Sequence, residues 1–451
     1  MDFMEKFREA LRIPTWWPSA AQSGGAAAEA AEAALTCFQE FLAGKFPAFH
    51  RAAERWVLSP YSAVYRLPRA SGADASGAAL LLAHYDVVPA EAEKWSVDPF
   101  GAEIKDGFIY GRGSLDMKSI LVGIMEAAEN LCEQGWKPKR DIWFAFGGDE
   151  ERTGVQGAME TAKWFEKRGQ RFDWILDEGM PIAENQIKGI DSPFAPISIE
   201  EKGYLSLNLT VEQEPGHASR PPRTQAAAIL ARALCRIAKK PFPFRLGPTV
   251  ETFFKQAAPL LPGGQGVVMR HARALSLIFG PLFFRAAATN PTTEAMLRTT
   301  VAMTMLEGSA ADNVMPSQVR AVINLRLLPP WTVETATAFI KKAINDKRVR
   351  ISAYGLGTNP VPASGEYLRD GWPHIEAALA EAWPGAPLLP FVMVATTDSR
   401  HYQKLSNRIF RFSPQRLDAR ESSGIHGHDE RISEENLRRV LVFYSALLRS
   451  L

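Results

Sequence analysis

The chain has 451 residues, 46% of them hydrophobic, and its 52 basic residues nearly balance its 50 acidic residues. The length predicts two domains, and the balanced charge argues against a nucleic-acid partner. No apolar run is long enough to span a bilayer, and the acidic residues near the start do not predict a secretory signal. The cysteines, Cys37, Cys132 and Cys235, are too widely spaced for a disulfide framework. Reduced thiols predict a cytoplasmic protein.

Strand and helix patterns alternate in the first part of the chain. Three apolar runs are too short for helices, so buried parallel strands are predicted at 78–84, 141–146 and 172–176. Helices are predicted at 3–13, 28–42, 117–131 and 157–168, and one or two further strands at 56–67. This order indicates an α/β fold with a mostly parallel sheet.

The pattern changes near Gly203, where strands begin to alternate apolar and polar residues, as in a sheet with one exposed face. Such strands are predicted at 204–211, 319–327 and 349–353, with helices at 224–238 and 333–344. The α/β pattern then returns in a strand at 388–394 and a helix at 434–448. We therefore expect a catalytic domain formed by residues 1–202 and 357–451, with an α+β domain of residues 203–356 inserted into it.

Residues 253–287 form an unusually apolar segment within the expected inserted domain. Packing in a core is the simpler interpretation. The alternative is an exposed apolar surface for a protein partner, a membrane or an acyl chain.

Residues with metal-ligand chemistry follow each of the three predicted parallel strands. They are His84 and Asp86, then Glu150 and Glu151, then Asp177 and Glu178. Ligands bind outside the carboxyl ends of strands in open α/β sheets, so these side chains should converge. Asp116 lies in the glycine-hinged stretch 111–118 between the first two strands, just before a predicted helix. A lone aspartate at this position would be interpreted as a helix cap. Because three other segments also supply residues with metal-ligand chemistry, Asp116 is a candidate ligand.

Imidazole and carboxylate groups without a thiolate suit a catalytic zinc site better than a structural one. Crowded carboxylates repel one another, and a cation compensates for this. Two cations bridged by one carboxylate would serve a hydrolytic reaction. Asp86, two residues beyond His84, is placed to orient its imidazole. A second histidine is required, and His426 or His428 in the glycine-flanked stretch 424–430 could supply it.

Nine motifs together resemble the M20 family of dinuclear zinc peptidases and amidohydrolases, in the family's order and over nearly the whole chain. The resemblance is strongest to carboxypeptidase S and to the secreted enzyme that makes and cleaves N-fatty-acyl amino acids. The motifs are at 84–89, 106–116, 148–151, 176–179, 216–219, 313–316, 324–326, 397–400 and 425–427.

The resemblance implies the roles of the residues at the metal site. His84 and Glu151 would bind different metals, and Asp116 would bridge them. Asp177 and His426 would complete the ligand set, with Glu150 as the general base and Asp86 orienting His84. The metals would be two Zn²⁺ ions, for which Co²⁺ or Mn²⁺ are possible substitutes.

The resemblance also assigns the inserted domain as a lid and dimerisation domain. Its His217 would donate a hydrogen bond to the oxyanion, in some family members across a dimer interface, so a homodimer is expected. Asn313, Arg326 and Arg400 would hold the terminal carboxylate of the substrate, for which the arginine fork is well suited.

Two features depart from the family pattern. The last motif usually reads His-Gly-X-Asn-Glu, but here it is His426-Gly427-His428-Asp429-Glu430. His428 is therefore the alternative to the favoured His426. Relatives also differ over which acid of the Asp-Glu pair binds metal, so Glu178 is the alternative to Asp177.

The predicted reaction is hydrolysis of the amide bond before a C-terminal amino acid, as in a carboxypeptidase or dipeptidase. The alternative substrate is an N-acyl amino acid, which the apolar segment 253–287 would suit. From another functional class, the chain could be a non-catalytic binding protein on the same fold. The complete set of candidate ligands, together with Glu150, argues against that alternative.

Overall fold

A computed structural model describes residues 2–18, 25–73, 77–185, 189–363 and 366–451. The chain forms one large sheet and a second, four-stranded sheet. The strands of the large sheet are β1 (Glu54–Ser59), β2 (Ser62–Leu67), β3 (Ala78–His84), β6 (Asp141–Gly147), β7 (Trp174–Ala183), β8 (Ala195–Glu201), β15 (Leu388–Met393) and β16 (Ile409–Leu417). Their order across the sheet is β1-β2-β6-β3-β7-β16-β8-β15.

Four of the pairings in the large sheet are parallel, and they include the central strands. β3 pairs with β6 and with β7, β7 pairs with β16, and β8 pairs with β15. The β1–β2, β2–β6 and β8–β16 pairings are antiparallel. The three predicted parallel strands are therefore confirmed as adjacent strands, in the order β6, β3, β7.

Both faces of the large sheet are buried, which explains why β3 is apolar up to its last residue, His84, and why β6 is apolar after its first residue, Asp141. Alternate residues of β3 face two different cores, with Leu81 in one and Leu80 and Leu82 in the other. The first core is closed by the helices α1 (Phe3–Leu11), α2 (Gly25–Lys45), α3 (Pro47–Ala52), α4 (Lys118–Glu133), α13 (Trp372–Ala382) and α15 (Glu434–Arg449). The second core is closed by α5 (Ala158–Lys167).

The second sheet is antiparallel and has the order β11-β13-β9-β14. Its strands are β9 (Gly203–Glu212), β11 (Thr300–Glu307), β13 (Gln318–Leu327) and β14 (Arg350–Ala353). One face packs on α6 (Ala226–Lys239) and α12 (Val333–Ile344). The predicted alternating strands are thus present. All four strands lie within the span expected to be inserted, although β11 was not predicted.

The apolar segment folds into short helices, and its two ends behave differently. The helices are α7 (Pro248–Ala257), α8 (Gly264–Arg270), α9 (Ala272–Phe279), α10 (Pro281–Ala287) and α11 (Pro291–Leu297). Phe253 and Phe254 are buried in a core shared with Phe391 of β15. By contrast, Leu277, Ile278, Phe279 and Leu282 are exposed. The packing interpretation is therefore right for α7 and wrong for the adjoining ends of α9 and α10.

The remaining elements are small: β4 (Ile104–Lys105), β5 (Phe108–Tyr110), β10 (Gly216–His217), β12 (Val314–Met315), α14 (Ala419–Ser422) and β17 (Arg431–Ser433). β17 pairs with β5 beside the stretch that carries Asp116, which brings the last motif of the chain to the centre of the fold. Among the described residues, no helix is both long and apolar enough to cross a membrane.

Candidate metal centre

The predicted convergence of ligands at one edge of the large sheet is present. His84 is the last residue of β3, and a short 3₁₀ turn, Glu150–Arg152, begins three residues after β6 ends. Glu178 lies within β7, next to a register shift in its pairing with β16. β6, β3 and β7 are adjacent and parallel, and the carboxyl ends of β3 and β6 lie level with the middle of β7. These side chains therefore lie beside one another.

Two groups of side chains meet at the carboxylate of Asp116. In the first, His84 Nε2 lies 3.0 Å from Asp116 Oδ1 and 3.2 Å from Glu178 Oε1. In the second, His426 Nε2 lies 3.0 Å from Asp116 Oδ2 and 3.2 Å from Glu151 Oε1. Each oxygen of Asp116 therefore faces a different imidazole, and each imidazole lies beside a different glutamate, as at a bridging carboxylate.

The structure places Glu178, rather than the favoured Asp177, with His84 and Asp116. The carboxylate of Asp177 is turned elsewhere and accepts hydrogen bonds from the backbone N–H groups of Glu178 (2.9 Å) and Ser399 (2.8 Å). Neighbouring residues on a strand point to opposite faces, so only one acid of the pair can face the site. Asp177 instead holds the turn that carries Arg400.

Asp86 has a wider role than the one predicted from its spacing. His84 Nδ1 lies 3.0 Å from the backbone carbonyl of Asp86 and 3.4 Å from its Oδ1. The Asp86 carboxylate also accepts hydrogen bonds from the backbone N–H groups of Glu150 (3.2 Å) and Glu151 (3.1 Å). It therefore positions the 3₁₀ turn as well as contacting the imidazole of His84.

Two residues that the sequence analysis did not single out tie Asp116 to His426. The buried carboxylate of Glu430 accepts hydrogen bonds from the backbone N–H groups of Gly113, Leu115 and Asp116, and it pairs with Arg112 at 2.7 Å. Arg112 also donates to the carbonyls of His426 and Gly427. Glu430 is the last residue of the final family motif, and this position was the feature of the sequence that could have identified it.

His426 and His428 point to different places. His426 has a φ of 59°, in the left-handed region that non-glycine residues seldom occupy, and its imidazole reaches Asp116 and Glu151. His428 is exposed and lines a separate surface depression with Arg420 and Glu421. Of the two candidates, His426 is the one placed at the centre.

A cleft of about 560 Å³ opens beside the centre and contains Glu150, Glu151 and His426 together with Arg326 and Arg400. Arg400 Nη1 lies 4.0 Å from Glu150 Oε1, and its Nη2 donates to the carbonyl of Thr153. Arg326 stacks over the ring of Tyr204 at 4.9 Å. One terminal nitrogen of Arg326 is buried and has no hydrogen-bond partner among the described residues.

His217 and Asn313 are held together on a separate two-stranded ribbon. β10 pairs with β12, and the N–H of Ala218 donates to the carbonyl of Asn313 at 3.0 Å. Both side chains are exposed, and neither is among the described residues that line the cleft. Their roles toward the oxyanion and the carboxylate stay predictions.

Burial sets the protonation of the acids at this centre. Burial raises the pKa of Glu150, Glu151 and Glu178, that of Glu178 to about 8. Hydrogen bonds to Asp116 and Glu151 raise the pKa of His426 to about 10. Burial opposes charge on His84, yet the adjacent Glu178 carboxylate raises the pKa of that imidazole. Without a cation, protons must compensate for the crowded carboxylates.

The donor chemistry fits divalent cations. Two imidazole nitrogens and three carboxylates converge without a thiolate, a set suited to zinc and related first-row metals. His84, Asp116 and Glu178 would hold one cation, and Asp116, Glu151 and His426 the other.

Comparisons with known proteins identify the family of the chain. The family described as Peptidase family M20/M25/M40 matches residues 80–450. The chain belongs to the M20 peptidase family.

Its relatives within the M20 family include two kinds of enzyme. The chain is 34% identical over 452 residues to the N-fatty-acyl-amino acid synthase/hydrolase PM20D1 of Xenopus tropicalis, covering 99% of this chain and 85% of the relative. It is 35% identical over 418 residues to the probable carboxypeptidase S-like 2 of Dictyostelium discoideum, covering 92% and 79%.

Solved structures confirm the fold. The M20 family metallo-carboxypeptidase Sso-CP2 from Sulfolobus solfataricus superposes with a TM-score of 0.72 at 16% identity, covering 100% of this chain and 99% of that one. Human carnosine dipeptidase 1 gives 0.68 at 15% identity, covering 99% and 95%. This M20 chain is therefore a metal-dependent hydrolase of amide bonds with an α/β catalytic sheet.

The position of Glu430 predicts a coupled loss of stability and metal affinity in Glu430→Gln. Removing one charge of a buried pair leaves Arg112 uncompensated, which should cost about 3 kcal/mol of unfolding free energy. Metal affinity should fall about tenfold or more, because Asp116 loses its support. Unfolding and metal titration measure the two effects. Glu91→Gln, at an exposed pair with Lys94, should change neither, and wild-type metal affinity in Glu430→Gln would contradict the role.

The pKa of Glu178 predicts how the stability of chelator-treated protein depends on pH. The folded chain holds this proton more tightly than the unfolded chain. The stabilising contribution is therefore complete below pH 4.5 and is lost as the pH rises to about 8. Glu178→Gln cannot titrate, so its melting temperature should fall less steeply over this range than that of the wild type.

Thermal unfolding across that range, with Glu160→Gln as an exposed-acid control, measures the difference in slope. The control should follow the wild type. Equal slopes in all three proteins would show that Glu178 does not hold the proton.

Proposed function

We propose that this M20 enzyme is a dinuclear zinc hydrolase that cleaves the amide bond before an amino acid with a free carboxylate, with small peptides as its substrates. The observation that supports this most is the placement of Arg326 and Arg400 in the same cleft as Glu150 and the metal-ligand groups. The two arginines give the cleft a cationic part that could bind a carboxylate, beside the acidic part where the reaction would take place.

Arg326 is the better placed of the two arginines to receive the substrate carboxylate. Its buried terminal nitrogen lacks a partner among the described residues, while its guanidinium is held on Tyr204. A carboxylate accepting from that nitrogen would satisfy a buried donor, and a charge-assisted bond is among the stronger ones available. Arg400 is already bonded to the carbonyl of Thr153, so it adds charge and borders the same space.

Glu150 is the proposed general base. It lies in the cleft beside both metal-ligand groups but belongs to neither. When bound, two divalent cations would polarise the substrate carbonyl and favour deprotonation of the attacking water. The Glu150 carboxylate would accept the proton of that water and pass it to the leaving nitrogen. Asp86 fixes the backbone of Glu150, and Arg400 keeps its carboxylate within the cleft.

N-acyl amino acids are the second candidate substrates. Val155, Met159 and Leu356 form an apolar part of the cleft, and an acyl chain could pack there in place of a peptide residue. The identity to N-fatty-acyl-amino acid synthase/hydrolases favours this candidate as well.

We further propose that the enzyme is a homodimer and that it lies in the cytoplasm. Each subunit would bind two Zn²⁺ ions, for which Co²⁺ or Mn²⁺ could substitute. The dimer would give His217 and Asn313 a function, because a ribbon outside its own cleft could serve the cleft of a second copy. The family resemblance supports the metal and the dimer, and the separate cysteines support the location.

Glu150→Gln should keep the fold and the metals but lower kcat by about a hundredfold or more, because the amide cannot accept the proton. Activity assays and elemental analysis on the same preparation measure the two properties. Glu160→Gln, an exposed glutamate on α5, should retain full activity. Near-wild-type turnover in Glu150→Gln would exclude Glu150 as the base.

Arg326→Gln tests recognition of the carboxylate. With a dipeptide, kcat/KM should fall about ten- to a hundredfold, as expected for the loss of a charge-assisted hydrogen bond. With the matching dipeptide carboxamide, the wild type and the variant should be equally slow. Arg320→Gln, on the same strand but paired with Glu307, is the control. An equal loss on both substrates would contradict carboxylate recognition.

A mixture of a dipeptide and a long-chain N-acyl amino acid, each ending in the same residue, separates the two candidate substrates. Chelator-sensitive loss of the dipeptide would support the peptidase. Preferential loss of the acyl substrate would support the second candidate. Loss of neither would contradict both and favour a non-catalytic binding protein.

A further inference from the structure

The adjoining ends of α9 and α10 expose four large apolar side chains, which we call the apolar tip: Leu277, Ile278, Phe279 and Leu282. Their exposed fractions are 78%, 72%, 54% and 69%. Single exposed apolar residues are ordinary on protein surfaces, whereas a contiguous group indicates an interaction surface. Val267 and Val268 on the neighbouring α8 are exposed as well.

The apolar tip is carried on an anchored support. Phe284 on α10 stacks on Phe244 with ring centroids 5.3 Å apart, and Phe283 packs against the core that contains Phe253. On α9, Ala272 is buried at the opposite end of the helix from the tip. The fold thus holds the inner side of these two helices and presents the tip to solvent.

The charged residues of the segment that carries the apolar tip all have one sign. Residues 252–293 include Lys255, Arg270, Arg273 and Arg285 but no aspartate or glutamate. Arg273 is paired with Glu251, as is Lys255. Arg270 and Arg285 are exposed and make no ion pair within the described part of the chain. Such a surface attracts an anionic partner and repels a cationic one.

We infer that the apolar tip inserts into an anionic lipid surface, with Arg270 and Arg285 contacting the lipid headgroups. A group of apolar side chains with flanking arginines has the two components of interfacial membrane binding, burial of apolar area and attraction to anionic lipids. It requires no membrane-spanning helix. The inference is independent of the substrate proposed above, since it concerns a surface and not the cleft.

A second copy of the chain fits this surface less well. In a two-fold symmetric contact the same patch meets itself, so the arginines of one copy would approach those of the other. The segment contains no acid to offset that repulsion. A lipid surface supplies both the apolar layer and the negative charge.

The test is flotation of the purified full-length protein with vesicles, which needs no substrate. The wild type should float with vesicles of phosphatidylcholine and phosphatidylglycerol and bind much less to vesicles of phosphatidylcholine alone. The double variant Leu277→Ser/Ile278→Ser should lower the partition coefficient on the mixed vesicles about tenfold or more. Arg270→Gln/Arg285→Gln should remove the preference for anionic vesicles.

Leu368→Ser is the matched control, because Leu368 is an exposed apolar residue outside this segment (58% exposed), and it should bind as the wild type does. Melting temperatures verify that each variant is folded. Wild-type protein that stays off anionic vesicles, or a tip variant that binds as well as the wild type, would overturn the inference. A third outcome would also overturn it. If the wild type does not bind vesicles and light scattering shows a dimer that the tip variant converts into a monomer, the partner of the apolar tip is a second copy of the chain.

Discussion

The candidate metal centre depends on the contacts of one buried carboxylate, that of Glu430. It binds three backbone N–H groups of the loop that carries Asp116, and its partner Arg112 binds the carbonyls of the loop that carries His426. The two loops lie far apart in the chain, yet the side chains of Asp116 and His426 lie 3.0 Å apart in the fold. A buried ion pair gains little net free energy by itself. Here it fixes the geometry of two loops, neither of which is a regular element.

The same centre weakens the fold that carries it. Burial, followed by the neighbouring carboxylate of Asp116, raises the pKa of Glu178 to about 8, so this acid holds a proton when no cation is bound. A cation would replace this proton and remove the repulsion, so metal binding and stability are linked. The apolar strands beneath, buried on both faces, compensate for this local cost. The fully buried strand β3 therefore ends directly at this cluster of charge.

The sequence was sufficient for the elements that bear a simple pattern. The adjacent strands β6, β3 and β7 were predictable because each is a short apolar run, and their topology brought His84, Glu151 and Asp116 together. β16 was not, because Arg411 and Gln415 interrupt its apolar pattern even though both are buried. Glu178 could not be chosen over Asp177, since the face that each side chain takes depends on the local register with β16. Contacts such as that of Glu430 with residues 113–116 depend on tertiary structure, so the sequence could point to Glu430 only through its place at the end of the family motif.

The apolar segment 253–287 also shows what the sequence alone cannot predict. Composition treats Phe253 and Leu277 alike, because the hydrophobicity of a residue does not say what will cover it. The fold distinguishes them, because Phe253 packs in a core with Phe391 of β15, whereas Leu277 lies near the end of α9 and is exposed to solvent. The absence of acids was already visible in the sequence, but it had no meaning until the exposed side chains defined a surface. A core segment has no reason to exclude acids from its solvent-facing positions, whereas a surface that meets anionic lipid does. Charge and exposure together therefore argue for an interface where hydrophobicity alone could not.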